Sequence, residues 1–303
     1  MSVRTPVAMM VFNRPELAAR VLAAVRAARP SRLLVVADGP RPDRPGEGEL
    51  CARTRAAVLD AVDWPCEVET ALSDVNLGCK RRISSGVDWV FRRVEEAIVL
   101  EDDCVPGPDF FGFCDEILER YRHDDRVMAL TGCNFQFGRR RGDASYYFSH
   151  FIHVWGWATW RRAWAHYDVA MREWPAVRRG RWLRDAVGGR AAAAGWRWRF
   201  DLTHAGRVDT WDYQWLYQVM RRGGLVATPN VNLVTNVGAG PGGTHAGQEG
   251  PQFDQPAGAL EHPLTHPAEV RRDVAADAFV QRSFTPGLRG LLGIAGRTLL
   301  GVR

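Results

Sequence analysis

Ala97-Ile98-Val99-Leu100-Glu101-Asp102-Asp103 is four apolar residues running straight into three carboxylates. The apolar half has the length and branching of a fully buried strand, and such strands belong to parallel sheets covered by helices. The acids then stand at the strand's carboxyl end, where open α/β sheets bind their ligands. Three adjacent carboxylates repel one another, so this terminus calls for a cation or several donors nearby.

Toward the N-terminus the pattern repeats. Val7–Phe12 reads as a buried strand broken by Asn13-Arg14-Pro15, after which Glu16–Ala28 has helical periodicity. Leu33–Ala37 is a second strand ending at Asp38-Gly39-Pro40, Leu50–Val62 a helix, Cys66–Leu72 a third strand and Lys80–Val94 an amphipathic helix. The first third of the chain therefore reads βαβαβαβ, a parallel sheet with crossover helices. Polar residues stand at each strand end: Asn13 and Arg14, then Asp38, then Asn76, then the acids. No glycine follows the first strand, which excludes the G-x-G-x-x-G dinucleotide loop, and there is no Walker A string. A sugar nucleotidylyltransferase also wants glycines there.

Beyond Asp103 the reading predicts a helix over Phe110–Tyr121, a strand at Val127–Thr131, a strand over Tyr146–Val154 and a helix through Gly156–Ala165. Helical stretches follow in Ala170–Trp198, then a strong helix at Asp212–Arg222 and a strand at Leu225–Thr228. Asn236–Gly250 is a Gly-rich loop, Pro251–Pro267 is irregular, and Arg272–Phe279 and Leu288–Leu300 are helical candidates. Tryptophan is unusually frequent, 12 in 303, and all but Trp64 and Trp89 fall between Trp155 and Trp215. Trp157, Trp160 and Trp164 suit one core-facing side of a helix. Trp155-Gly156-Trp157 differs, because glycine permits close backbone approach and an aromatic face can stack on a sugar. Trp157 or Trp211 is therefore expected to border a sugar.

The 303 residues, 46% hydrophobic and 25% charged, are globular in composition and suffice for one enlarged α/β domain. Disordered and fibrous classes are excluded. The net charge of +5 suits an anionic small molecule better than nucleic acid, for which no motif is present. Lys80 is the only lysine, an imbalance best read as coding bias. Six cysteines without CxxC pairing read as reduced thiols, and neither a leader nor an apolar run of membrane-spanning length is found. The expected location is the cytoplasm, with the arginine-bearing tail 287–303 a candidate for peripheral contact with the inner membrane face.

The run Val99–Phe113, VLEDDCVPGPDFFGF, resembles the EDD-type DxD motif of GT-A glycosyltransferases, N-acetylglucosaminyltransferase I and bacterial family 2-like sugar transferases among them. The resemblance extends through Val11–Glu16, Asn76–Arg82, Gly156-Trp157 and Thr210–Trp215, over roughly residues 5 to 245. It implies a GT-A (nucleotide-diphospho-sugar transferase) fold, α/β with a mostly parallel central sheet. That domain would span 1–250, with a nucleotide-binding half 1–103 and an acceptor half 104–250, followed by a C-terminal extension with helices at 251–303. The implied activity is that of a metal-dependent, inverting hexosyltransferase. It would move a sugar from a nucleotide-diphosphate sugar, UDP favoured, to a hydroxyl on a glycan, lipid-linked or small-molecule acceptor. Asp103 would ligate Mn²⁺ or Mg²⁺, and Glu101 and Asp102 would face the nucleotide and ribose. Asp38, Asn13 and Arg14 would line the nucleotide pocket. Lys80, Arg81 and Arg82, opening a helix, are expected near the diphosphate.

Inversion needs one carboxylate to take the acceptor hydroxyl's proton. The family carries two adjacent acids beside a tryptophan, whereas this chain has Trp211-Asp212-Tyr213. Asp212 is the expected base, Asp209 its rival, and helix capping an alternative role for either. His245, closing the Gly-rich loop, is a candidate for the metal shell or a phosphate. Two other functions fit less of the sequence: a sugar nucleotidylyltransferase, and a non-catalytic carbohydrate-binding protein.

Overall fold

The computed structural model describes residues 3–238 and 255–284. Strand β1 (Val7–Val11) is buried throughout and passes through Asn13-Arg14 into α1 (Pro15–Ala28). Pro15 stands at the first helical position, where a missing N–H costs nothing. Then follow β2 (Arg32–Ala37), α2 (Glu47–Leu59), β3 (Glu67–Leu72), α3 (Gly78–Phe91) and β4 (Glu96–Glu101). These four strands pair in parallel in the order β3-β2-β1-β4, with Met10 of β1 opposite Glu101 of β4. The βαβαβαβ expectation thus agrees with the fold, apart from a few residues at the helix starts.

After the acids the chain forms β5 (Cys104–Pro106), α4 (Pro108–Arg120), β6 (Val127–Thr131) and β7 (Tyr146–Ser149). Next come β8 (Trp157–Trp160), α5 (Arg161–Trp164), α6 (Trp174–Val177), α7 (Trp182–Val187), α8 (Arg190–His204) and α9 (Asp212–Arg221). The order closes with β9 (Leu225–Pro229), β10 (Val234–Asn236) and α10 (Val274–Phe284). Among the described residues the main sheet has eight strands, β3-β2-β1-β4-β8-β6-β9-β7, and β8 runs antiparallel between β4 and β6. A separate antiparallel pair joins β10 to β5, directly after the acids. The architecture is mixed α/β, parallel in its first half and flanked by helices.

Two expectations in this half are corrected. The strand predicted over Tyr146–Val154 stops at Ser149, and the helix predicted from Gly156 begins only at Arg161. Trp157-Ala158-Thr159-Trp160 is a strand because the slot between β4 and β6 supplies backbone partners on both sides, Ile98 and Leu130 both facing Ala158. Tertiary pairing overrides a helix-like spacing of aromatics. In a strand, residues three apart point to opposite faces. Trp157 accordingly enters the core on the α3 side of the sheet, and Trp160 the core on the side of α1 and α4.

Residues 255–284 pack onto this body. Leu260 N–H donates to Asp109 at 2.8 Å, the Tyr146 hydroxyl meets His266 Nδ1 at 3.1 Å, and His150 N–H donates to the buried Asp277 carboxylate at 3.1 Å. All six cysteines are free thiols. No helix among the described residues is long and apolar enough to cross a membrane. The predicted helix Leu288–Leu300, the tail proposed for membrane contact and nearly all of the Gly-rich loop, His245 included, lie outside the described residues.

Candidate functional site

A cavity of about 380 Å³ opens at the carboxyl ends of β1, β2 and β4, and the loops after those strands line it. Its floor includes Met10, Val36 and Ile83, and its polar wall includes Asn13, Arg14, Asp38, Arg82, Glu101 and Asp102. The sheet topology brings together residues from five separate stretches of sequence at the place the strand pattern predicts.

Asp38 organises one side. Its buried carboxylate accepts backbone N–H groups from Gly39 and Leu77 at 2.9 Å and from Gly78 at 3.0 Å, and the Asn76 side-chain amide at 3.1 Å. These bonds hold the start of α3 against the end of β2, satisfying donors the first helical turn leaves open. Asp38 was expected to contact the nucleotide; it lines the cavity with a carboxylate already committed to the protein. Asn13 is likewise anchored, its amide donating to Glu47 at 3.0 Å. Glu47 is buried and also accepts from Arg41, whose guanidinium lies 5.6 Å from the centre of the Phe12 ring. The Arg41–Glu47 pair was not foreseen, because nothing in the Pro/Gly-rich stretch 41–49 marks it as part of a wall.

The acids occupy the centre. Asp102 and Asp103 are buried, and both pair with Arg14: one guanidinium nitrogen meets Asp102, the other Asp103 at 2.9 Å. Phe12 N–H adds a bond to Asp102 at 3.2 Å. Burial pushes the Asp102 carboxyl up to about 6 despite Arg14, with Asp103 adding repulsion. Burial also raises Glu101 well above the carboxylate range, reinforced by Asp103 and Asp102. Glu101 lines the cavity and has no hydrogen bond or ion pair to another described side chain.

Of the three basic residues opening α3, only Arg82 lines the cavity; Lys80 and Arg81 do not. Arg82 donates to the Ala71 carbonyl, while its Nε is buried without a partner among the described residues. Cys79 also faces this space, and nothing in the sequence pattern singles it out. Burial, then Glu101, Asp212 and Asp209, push its thiol up to about 12. Asp209 lines the cavity, its carboxylate beside Gly78. Asp212 opens α9 and accepts from the Thr210 hydroxyl. Of the two rival bases, Asp209 lines the cavity, and Asp212, at the start of α9, is near enough to bear on Glu101 at the end of β4.

The expected sugar-stacking role of Trp157 or Trp211 meets two buried rings. Trp157 is fully buried, 5.6 Å from Trp211 and 5.8 Å from Trp164 between ring centres. Trp211 is also buried, and neither ring offers a face to a sugar. Gly156 has φ +67°, and a Cβ there would lie 2.6 Å from Val234. The close approach that glycine permits is to β10, not to a ligand.

A divalent cation at the acids is tested by what already sits there. Mg²⁺ and Mn²⁺ take one or two carboxylates together with phosphate oxygens and water. At Asp102 and Asp103 the guanidinium of Arg14 fills that place, and a Cβ on Gly238 would run into the Asp103 carboxylate. Among the described residues no group of three or more His, Cys, Asp or Glu gathers to hold a metal ion. As they stand, the acids do not fit a cation on Asp103.

No protein-family model matches the chain, and no curated protein does. Among solved structures, the inositol-1-phosphate CTP transferase from T. maritima is 10% identical with a TM-score of 0.38, over 75% of this chain and 86% of that one. UDP-glucose pyrophosphorylase complexed with UDP-glucose is 8% identical with a TM-score of 0.25, over 44% of this chain and 64% of that one. Likeness at this level leaves the reading of the site to its own residues.

Proposed function

We propose that the chain transfers a hexosyl group, with inversion, from a nucleoside-diphosphate sugar, UDP the favoured nucleotide, to a hydroxyl acceptor. The observation that carries the reading is the convergence on one cavity of the β1, β2 and β4 ends with Asp209, just before α9, while Asp212, opening α9, is near enough to bear on Cys79 of the cavity lining. A nucleotide held at the strand ends would present its sugar toward α9. There Asp212 takes the acceptor hydroxyl's proton as the acceptor oxygen bonds to the sugar's anomeric carbon. The bond from that carbon to the diphosphate oxygen breaks, and its electron pair leaves with the nucleoside diphosphate. Arg82, whose Nε has no partner among the described residues, lines the cavity as a cation for that developing charge. Asp209 holds the position of a donor contact rather than the base.

The second reading, nucleotidylyl transfer, would use the same cavity but break a different bond, the one between the α- and β-phosphates. Against it stands the absence of glycine after β1, where Asn13 and Arg14 bring bulky side chains to the cavity instead. Incubation with a panel of UDP-sugars separates the two. Release of UDP, slowed about a hundredfold or more in Asp212→Asn, supports glycosyl transfer. Formation of UTP from a UDP-sugar and pyrophosphate would establish the rival, and glycan binding without any turnover would leave only a carbohydrate-binding protein.

A further inference from the structure

Three adjacent carboxylates at a strand end need positive charge, and a divalent ion is the usual supplier. Here the chain brings its own. Met10 and Glu101 are register partners on adjacent parallel strands, so the residues just after β1 hang beside those just after β4. Pro15 fixes the start of α1 one residue after Arg14, which turns this side chain back across the strand ends. The guanidinium then spans both carboxylates, one nitrogen to each, as a bridging ion would. Only 16% of the Arg14 side chain is exposed, against 3% and 7% for Asp102 and Asp103. Removing one partner from such a buried set strands the other charges, so Arg14 leaves only if another cation takes its place.

We infer that Arg14 is the resident cation of the Asp102–Asp103 pair, so that the protein takes up no divalent ion there and binds its donor nucleotide without one. The second clause rests on the proposed nucleotide site; the first does not. Arg14 is thus a positioning residue that sets the cation requirement of the site. Its removal opens a divalent-ion site at Asp102 and Asp103.

The test uses Mn²⁺ alone, followed by its electron paramagnetic resonance signal, on the full chain, Arg14→Met, Arg14→Lys and Asp103→Asn. The wild-type protein and Arg14→Lys are expected to leave the free-ion signal unchanged up to about 1 mM, whereas Arg14→Met binds one ion at least about tenfold more tightly. UDP binding by calorimetry is expected to be equal in EDTA and in Mn²⁺. A wild-type protein that takes up one Mn²⁺ and loses it in Asp103→Asn overturns the inference, and so does an Arg14→Met that folds yet gains no site. UDP binding that appears only with Mn²⁺ overturns the second clause. If Arg14→Met fails to fold, the wild-type and Asp103→Asn titrations decide. A wild-type protein that binds neither Mn²⁺ nor UDP under any condition removes the nucleotide reading and leaves the ion result standing.

Discussion

Asp38, just past the end of β2, holds the amide of Gly78, the first residue of α3, at 3.0 Å. One carboxylate thus ties a strand end to a helix start forty positions away in sequence, and the cavity wall depends on it. Asp38→Ala leaves the Leu77 and Gly78 amides without that acceptor, and unsatisfied buried donors cost about 1–3 kcal/mol. Urea unfolding is expected to register a loss of this size. On the proposed function, UDP affinity is expected to fall at the same time, because Arg82 is carried on the same helix.

Glu101 and Asp102 predict a pH dependence of opposite sign to that of ordinary paired carboxylates. Their folded pKa values are raised, Asp102 to about 6 and Glu101 well above its usual range, so the folded protein holds their protons more tightly than the unfolded chain. Their contribution to stability is therefore greatest at acid pH and is lost as pH climbs from the normal carboxylate range through the folded pKa. Glu101→Gln removes the charged form and is expected to exceed the wild type in stability at alkaline pH, with the gain shrinking as pH falls toward the ordinary carboxylate range. Denaturant melts across that range check this, and a gain that did not vary with pH would speak against buried repulsion as its source.

Asp209 and Asp212 separate by kinetics. On the proposed function, Asp212→Asn lowers kcat about a hundredfold or more with the donor KM unchanged, the range general-base removal produces. Asp209→Asn, on the cavity wall, raises the donor KM and leaves kcat nearly intact. The reverse pattern in a UDP-release assay would exchange their roles.

Gly156→Ala combines two penalties. A side chain at φ +67° costs roughly 1–2 kcal/mol, and a Cβ 2.6 Å from Val234 adds overpacking of about 1–3 kcal/mol. The variant is expected to lose several kcal/mol in urea unfolding. A near-neutral result would mean that β10 can shift away from β8 freely.

Trp157→Phe tests whether the buried ring serves packing alone. The smaller ring leaves a gap among Trp164, Trp211 and Trp215, at a cost of about 1–3 kcal/mol. Donor and acceptor KM values are expected to stay at wild-type levels; a rise in either would return Trp157 to the sugar site.

The first hundred residues were legible because their signals are local. Buried strands such as Val7–Val11 are continuous apolar runs, and each is cut by proline, glycine or acids at its functional end. The Trp157–Trp160 strand was not legible, since its identity comes from β4 and β6 on either side. The same spacing of aromatics serves a helix face or two faces of a sheet, and only the neighbours choose between them. The Arg41–Glu47 pair was invisible for a related reason: a charged loop looks the same whether solvated or folded onto a wall.

By itself the sequence determined that three acids end a buried parallel strand and that polar residues end its neighbours, because strand length, hydrophobic run and chain breakers are written residue by residue. Which charges meet was decided by the tertiary structure alone. Arg14 and Asp103 lie far apart in the chain and become partners at 2.9 Å only when β1 pairs with β4 and Pro15 turns the chain into α1. Coulomb interaction depends on distance in space and on burial, neither of which a linear pattern contains, and so the acids' partner came from the fold.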